Sequence, residues 1–116
     1  MKLYQYPKCS TCRKAIKYLD ANGLAYEKVD IVDNPPSQAE LKRMLGHLDG
    51  EIKKLFNTSG EMYREMGLKD KVADMKPADA VRLLAQNGKL IKRPFLLTDG
   101  GGTVGFKEEQ WQTLLA

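Results

Sequence analysis

The residues of this chain that could do chemistry are its two cysteines, which lie in the stretch YPKCSTCRKAIKYL at positions 6–19. Only two residues separate Cys9 from Cys12, and the chain has no other cysteine. Three interpretations fit such a pair: a reactive dithiol, half of a metal site, or two packed core thiols. In a reducing compartment, a close pair is more often catalytic or metal-binding than a structural disulfide.

The pair lies where a strand is predicted to meet a helix. Residues 2–6 (KLYQY) alternate in polarity as a strand does. A helix is predicted to follow, because apolar residues recur at one-face helical spacing in Cys12, Ala15, Ile16 and Leu19. Gly23 suits a left-handed C-cap of that helix.

This position predicts that Cys9 is a reactive thiolate. The free amides and the positive dipole end of the helix face Cys9, and Lys8, Arg13 and Lys14 add positive charge nearby. Such settings lower a cysteine pKa from about 8.5 to between about 3.5 and 7.5. We therefore expect Cys9 to be the nucleophile. Cys12, more buried and one turn along, would resolve a mixed disulfide into an internal one.

The other two interpretations of the pair make different demands. A structural zinc site needs four ligands, and the only histidine, His47, lies in a different predicted helix. We therefore predict neither a metal nor a tightly bound cofactor. Two inert core cysteines remain the alternative, although a CXXC motif at a strand-to-helix turn favours redox chemistry.

The rest of the chain predicts an α/β fold. A second strand at about 25–32 completes a βαβ unit, whose strands should be parallel. After Pro35-Pro36, Ser37 and Glu40 have the spacing of a capping box, and short helices follow as far as Asn87-Gly88. One of these helices carries Met62, Tyr63 and Met66 on its predicted buried side.

A hairpin and a last helix complete the order. The runs 95–97 and 103–106 flank the glycine turn 99–102, and Trp111 lies on the inner side of the final helix. The order is βαβ, a helical insertion at about 37–88, then ββα. Without the insertion, this is the thioredoxin fold, a mixed four-stranded sheet, and we expect residues 1–116 to form one such domain.

Pro94 is the second candidate site residue. It comes just before the third predicted strand, where proteins of the thioredoxin fold have a cis proline that faces the CXXC motif. In that setting, Arg93 would point toward the cysteines and could hold an anion by a bidentate contact. The alternative for Arg93 is an ordinary surface arginine.

Composition excludes several classes of protein. Among 116 residues, 42% are hydrophobic and 29% charged, which is typical of a globular protein. The net charge of +4 is spread among mixed charges, so no nucleic acid partner is expected. No apolar run reaches a membrane span of about 18 residues, and the start lacks a secretory signal. We expect a cytoplasmic protein.

Three separated motifs resemble the arsenate-reductase-like family, which includes the Spx-type redox regulators. They are YPKCSTCRKA, NTSGEMYREMGL (57–68) and LIKRPFLL (90–97). The resemblance implies a thioredoxin-like sheet with an inserted helical subdomain. It also implies that the residue at Cys9 attacks an oxyanion and that Arg13, Arg93 and Pro94 contact the substrate.

The resemblance is incomplete in two respects. Two further arginines of those reductases fall near Asn57 and Phe106, neither of which is basic. An oxyanion needs charge-assisted donors, for which Lys54, Arg64 or Lys107 are the nearby substitutes. Cys12 is the other difference, since related glutathione-linked reductases often have no cysteine there.

Three functional hypotheses follow. In the first, Cys9 attacks arsenate or a small-molecule or protein disulfide, and Cys12, glutathione or glutaredoxin resolves the intermediate. In the second, the chain is a regulator of the Spx type, which binds RNA polymerase and uses its CXXC motif as an oxidation switch. In the third, it is a binding module with incidental cysteines. The first is the leading hypothesis.

Overall fold

The computed structural model describes residues 1–116 and contains four strands and five α-helices. In chain order these are β1 (Lys2–Gln5), α1 (Ser10–Ala21), β2 (Glu27–Asp30), α2 (Gln38–His47), α3 (Glu61–Glu65), α4 (Pro77–Gln86), β3 (Phe95–Leu97), β4 (Gly102–Val104) and α5 (Glu108–Leu115). The sheet order is β2-β1-β3-β4, with β1 and β2 parallel and the other pairs antiparallel. The predicted mixed four-stranded sheet is confirmed.

Helices cover both faces of this sheet. Because strand side chains alternate between faces, Leu3 and Leu96 point to one side, where they join a cluster with Ala15, Leu19 and Trp111 from α1 and α5. Tyr4, Phe95 and Leu97 point to the other side, where they join a cluster of 17 buried residues. Most of that larger cluster comes from the helical segment between β2 and β3.

The capping box predicted at the start of α2 is present. The Ser37 hydroxyl accepts the Glu40 amide at 3.1 Å, and Glu40 Oε1 accepts the Ser37 amide at 3.0 Å. The same carboxylate accepts the hydroxyl of Tyr4 at 2.7 Å and contacts the ammonium of Lys2 at 3.2 Å. Glu40 therefore fixes α2 to β1 at the centre of the sheet.

The helical segment is also joined to the chain that leads into β3. Phe56 and Ile91 form an isolated antiparallel bridge. On either side of it, the Lys92 amide donates to the Leu55 carbonyl and the Asn57 amide to the Leu90 carbonyl, both at 2.7 Å. These bonds fix the backbone immediately before Arg93 and Pro94.

One predicted core residue is not in the core. Tyr63 is buried and Met62 packs against the larger cluster, as predicted, but Met66 is 37% exposed. The reason is that α3 already ends at Glu65, and Gly67 turns the chain in the left-handed region with φ of 62°. Met66 caps the helix instead of continuing its buried face. No helix of the protein is long and apolar enough to cross a membrane.

Glu40 supports a prediction about stability. We expect Glu40→Ala to lower the free energy of unfolding by about 2–3 kcal/mol, because it leaves the Tyr4 hydroxyl, on a residue only 2% exposed, without its acceptor. Glu40→Gln keeps an acceptor oxygen and should cost less. Urea denaturation of the three proteins at about pH 7 measures both differences.

The pH dependence follows from the pKa of Glu40. Burial raises this pKa, but hydrogen bonds from Ser37, Tyr4 and Lys2 outweigh burial and lower it overall. A lowered folded pKa means that the stabilisation is complete above the unfolded value of about 4.3 and is lost as pH falls through the folded value. The stability gap between wild type and Glu40→Gln should therefore shrink in acid. A gap that stays constant down to about pH 3 would contradict this reading of Glu40.

Candidate active site

The sulfur of Cys9 caps the first turn of α1. Cys9 is the N-cap residue with extended backbone angles, and its Sγ accepts the backbone N–H of Cys12 at 3.3 Å. Its own amide donates to the Tyr6 carbonyl at 3.0 Å, which holds the turn between β1 and α1. The predicted position at a strand-to-helix turn is therefore confirmed.

The two thiols are free and differ in exposure. Cys9 is partly exposed, whereas Cys12 is 0% exposed and packs on the buried side of α1. This is the order of burial that the helical pattern predicts. A molecule from solvent can thus reach the sulfur of Cys9 but not that of Cys12.

The surroundings shift the two pKa values in opposite directions. Burial raises the pKa of Cys9, but hydrogen bonds from the Cys12 side chain and backbone, together with the hydrogen bond and charge of Arg93, lower it overall. Burial, followed by the hydrogen bond to Cys9, raises the pKa of Cys12 to about 12. Of the two sulfurs, Cys9 is therefore the one whose surroundings favour the thiolate.

Arg93 is the cation that acts on Cys9. The peptide bond between Arg93 and Pro94 is cis, as predicted. The guanidinium carbon of Arg93 lies 4.7 Å from the ring centroid of Tyr6, a cation–π contact. Tyr6, in turn, is joined to Cys9 through the backbone bond of the turn. Tyr6 therefore holds Arg93 beside the cysteine.

The basic residues near the motif in sequence are placed differently from expectation. Lys8 and Lys14 are exposed, and the Arg13 guanidinium donates to the Pro7 carbonyl at 2.9 Å. The interactions that lower the pKa of Cys9 come from Cys12 and Arg93, and the added charge of these three residues stays a prediction. Arg13 instead stiffens the loop that leads into the motif.

Asn57 and Phe106, near which two further family arginines are expected, make other interactions. The Asn57 side chain stays within its own turn, where its Oδ1 accepts the Ser59 hydroxyl at 3.5 Å. Phe106 packs edge-on against Trp111, with ring centroids 4.9 Å apart. Neither position brings charge to Cys9.

The proposed substitutes for those arginines are engaged or lie farther along the surface. The Arg64 guanidinium donates to the Ser59 carbonyl at 3.0 Å, and Lys54 pairs with Glu51 at 2.5 Å. Lys107 lines a groove of about 1160 Å³ that starts at Thr11 and Arg93. The sequence did not predict this groove, since its lining residues come from separated segments of the chain.

Tyr6 is the site residue that sequence reasoning missed. Nothing in a single sequence indicates that an arginine from the far end of the chain lies on its ring. No group of three or more His, Cys, Asp or Glu side chains is placed to hold a metal ion.

The family model described as the ArsC family matches residues 4–114. The chain belongs to the ArsC family. Among curated relatives, the uncharacterized protein YusI of Bacillus subtilis (strain 168) is 48% identical, covering 97% of this chain and 95% of YusI. An arsenate reductase of Neisseria meningitidis serogroup B is 31% identical, covering 99% of this chain and 97% of the reductase.

A regulator and a solved structure are also similar to this chain. The global transcriptional regulator Spx of Streptococcus agalactiae serotype V is 24% identical, covering 97% of this chain and 81% of the regulator. The crystal structure of an ArsC family related protein from Bacteroides fragilis has a TM-score of 0.92 at 44% identity, covering 97% of this chain and 95% of that chain. The proteins similar to this chain thus include both an arsenate reductase and a transcriptional regulator.

The reactivity of Cys9 can be measured by alkylation of the reduced protein against pH. We expect a midpoint below the free-cysteine value of about 8.5, because the cap and Arg93 favour the thiolate. Cys9→Ser should abolish this component, since buried Cys12 stays protonated over the same range. An unshifted midpoint in the wild type would remove the argument for an activated nucleophile.

The contact between Tyr6 and Arg93 gives a separate prediction. Arg93→Gln and Tyr6→Leu should both raise the titration midpoint of Cys9. The first removes the guanidinium, and the second removes the ring that holds it. Tyr6→Leu should slow alkylation below the midpoint by about two- to fivefold, the worth of an ordinary cation–π contact. Tyr6→Phe keeps the ring face and is the matched control. Equal midpoints in Tyr6→Leu and Tyr6→Phe would contradict the role of the ring in holding Arg93.

Proposed function

We propose that the chain is a thiol–disulfide oxidoreductase, in which Cys9 is the nucleophile and Cys12 the resolving thiol. The observation that carries this proposal is the geometry at one helix start, where a partly exposed sulfur caps the helix and the second sulfur is buried. A lowered pKa at the exposed sulfur and a raised pKa at the buried one assign attack and resolution to different residues.

The reaction proceeds by two exchange steps. The Cys9 thiolate attacks one sulfur of a disulfide, so that a mixed disulfide forms and the other half leaves as a thiolate. Cys12 then loses its proton to solvent or to the leaving thiolate and attacks the sulfur of Cys9. The products are an internal Cys9–Cys12 disulfide and two reduced thiols, and an external thiol such as glutathione or a glutaredoxin returns the two electrons.

The first step prepares the second. In the reduced pair, burial raises the pKa of Cys12, and the hydrogen bond and negative charge of Cys9 raise it further. Once Cys9 is in a mixed disulfide, its sulfur no longer carries that charge. Cys12 then loses its proton more easily at the moment when a nucleophile is needed.

A disulfide fits the site better than arsenate does. Arsenate carries negative charge on several oxygens and needs several charge-assisted donors. Arg93 is the cation that acts on Cys9, while the two further family arginines are expected near Asn57 and Phe106, which carry no charge. Arsenate remains the comparison substrate, because the Neisseria meningitidis relative is named an arsenate reductase.

Replacement of Cys12 tests the assignment of roles. We expect Cys12→Ser to trap a mixed disulfide between Cys9 and half of bis(2-hydroxyethyl) disulfide, since serine keeps the backbone N–H that caps Cys9 but cannot resolve. Intact-mass measurement detects the adduct, and Cys9→Ser should form none. An adduct on Cys12 in the Cys9→Ser protein would reverse the two roles.

The wild-type protein tests which substrate is preferred. With glutathione and glutaredoxin as reductants, we expect turnover of disulfides to exceed that of arsenate by about tenfold or more, in line with the missing donors. Comparable rates would overturn the disulfide assignment and leave the chemistry of Cys9 intact.

A regulator of the Spx type is the second candidate. Its support is the match to Spx over 97% of this chain, together with a cysteine pair that can close at the start of α1. The resemblance to that type implies binding of RNA polymerase. Co-purification of the polymerase with the oxidised protein, and not with the reduced one, would favour the regulator over the enzyme.

A further inference from the structure

The groove that begins at Arg93 carries an excess of positive charge. Its charged lining consists of the cations Lys53, Lys54, Lys92, Arg93 and Lys107 and the carboxylates Asp49, Glu51 and Glu109. All of these except Arg93 lie outside the cysteine site itself. The excess therefore extends away from the reacting sulfur along the surface.

Most of these cations have no partner within the protein. Glu51 pairs with Lys54 at 2.5 Å, and Asp49 adds its charge to the same lysine. No carboxylate lies within 4.0 Å of Lys53, Lys92 or Lys107. The groove thus presents three cations without an ion-pair partner, against the carboxylates Asp49 and Glu109, which form no ion pair either, and an outside anion could pair with the cations.

The wall of the groove includes the open edge of the sheet. β4 pairs only with β3. The Thr98 amide donates to the Gly101 carbonyl at 3.0 Å and the Gly105 amide to the Pro94 carbonyl at 2.8 Å, so Gly101 and Gly105 face β3 with their backbone groups. Because antiparallel pairs alternate, the backbone groups of the intervening Gly102 and Val104 point away from β3. An extended segment could pair with them as an added strand.

The size and lining of the groove do not suit a small molecule. Ligand cavities are mostly apolar and reach about 1,000 Å³, whereas this groove has about 1160 Å³ and only 5 hydrophobic residues among the 21 that line it. A long, polar, charged surface beside a strand edge suits a polypeptide.

We propose that the groove binds an extended acidic segment of a protein substrate, which pairs with the edge of β4 while its carboxylates contact Lys53, Lys92 and Lys107. The segment would bring a neighbouring disulfide of the same protein to Cys9. Arg93 belongs to both surfaces, since it lines the groove and acts on the Cys9 sulfur. This inference rests on the proposed function and names its substrate class.

Peptide disulfides provide the test. Two extended peptides of about ten residues each carry one cysteine as a 2-thiopyridyl disulfide, flanked either by alternating glutamates or by glutamines at the same positions. Release of thiopyridone gives the rate constant for attack by Cys9. We expect the acidic peptide to react about tenfold faster at low salt, and this ratio to fall toward one above about 300 mM salt.

Charge-matched variants locate the effect. Lys53→Glu combined with Lys107→Glu should abolish or invert the ratio between acidic and neutral peptides. Lys28→Glu combined with Lys69→Glu makes the same change in net charge at exposed residues outside the groove, and should keep the wild-type ratio. Equal ratios in the two double variants would assign the effect to overall charge and overturn the proposal.

A separate pair of variants tests the strand edge. Val104→Pro removes the outward N–H, which an edge strand tolerates, whereas Val104→Ala keeps it. The acidic peptide should react several-fold more slowly with the first variant than with the second. Equal rates would remove the added strand from the proposal.

Small disulfides distinguish failure of the proposed function from failure of the groove inference. If Cys9 fails to attack bis(2-hydroxyethyl) disulfide, the proposed function itself falls. If Cys9 attacks it but the wild type shows no preference for the acidic peptide, only the groove inference falls. If glutathione disulfide depends on Lys53 and Lys107 as strongly as the acidic peptide does, the occupant is a small anion and not a polypeptide.

Discussion

The N-terminal amides of α1 have no partners within the helix, and a sulfur atom takes the place that an oxygen usually fills. Cys9 accepts the Cys12 amide through Sγ, so it is both the cap of the helix and the exposed thiol. A thiolate accepts hydrogen bonds and complements the helix dipole better than a thiol does. Local helix stability and reactivity thus favour the same ionised state.

The topology of the sheet explains how a distant arginine reaches this cap. β1 and β3 are adjacent and antiparallel, with Tyr4 opposite Phe95. The chain therefore leaves β1 toward Cys9 at the same end where it enters β3 from Arg93. Backbone bonds from the helical segment hold this entry, so the sheet, the cap and the cation depend on one another.

The sequence predicted what depends on local rules, and it missed what depends on side-chain placement across the fold. The turn at Cys9 and the capping box of Glu40 have short, specific spacings, and the proline at Pro94 followed once the order of elements was known. The contact of Arg93 with Tyr6 left no such trace, because it requires the register of β1 against β3 and one particular rotamer. The groove was invisible for the same reason.

The helical segment between β2 and β3 is an insertion only in the order of the chain. In the architecture it is one of three layers, and it supplies most of the 17 residues in the larger buried cluster. Without it, Tyr4, Phe95 and Leu97 would face water on one whole side of the sheet. Changes of charge on the surface of that layer should therefore leave the fold intact, whereas deletion of the layer would expose the core and remove the fold.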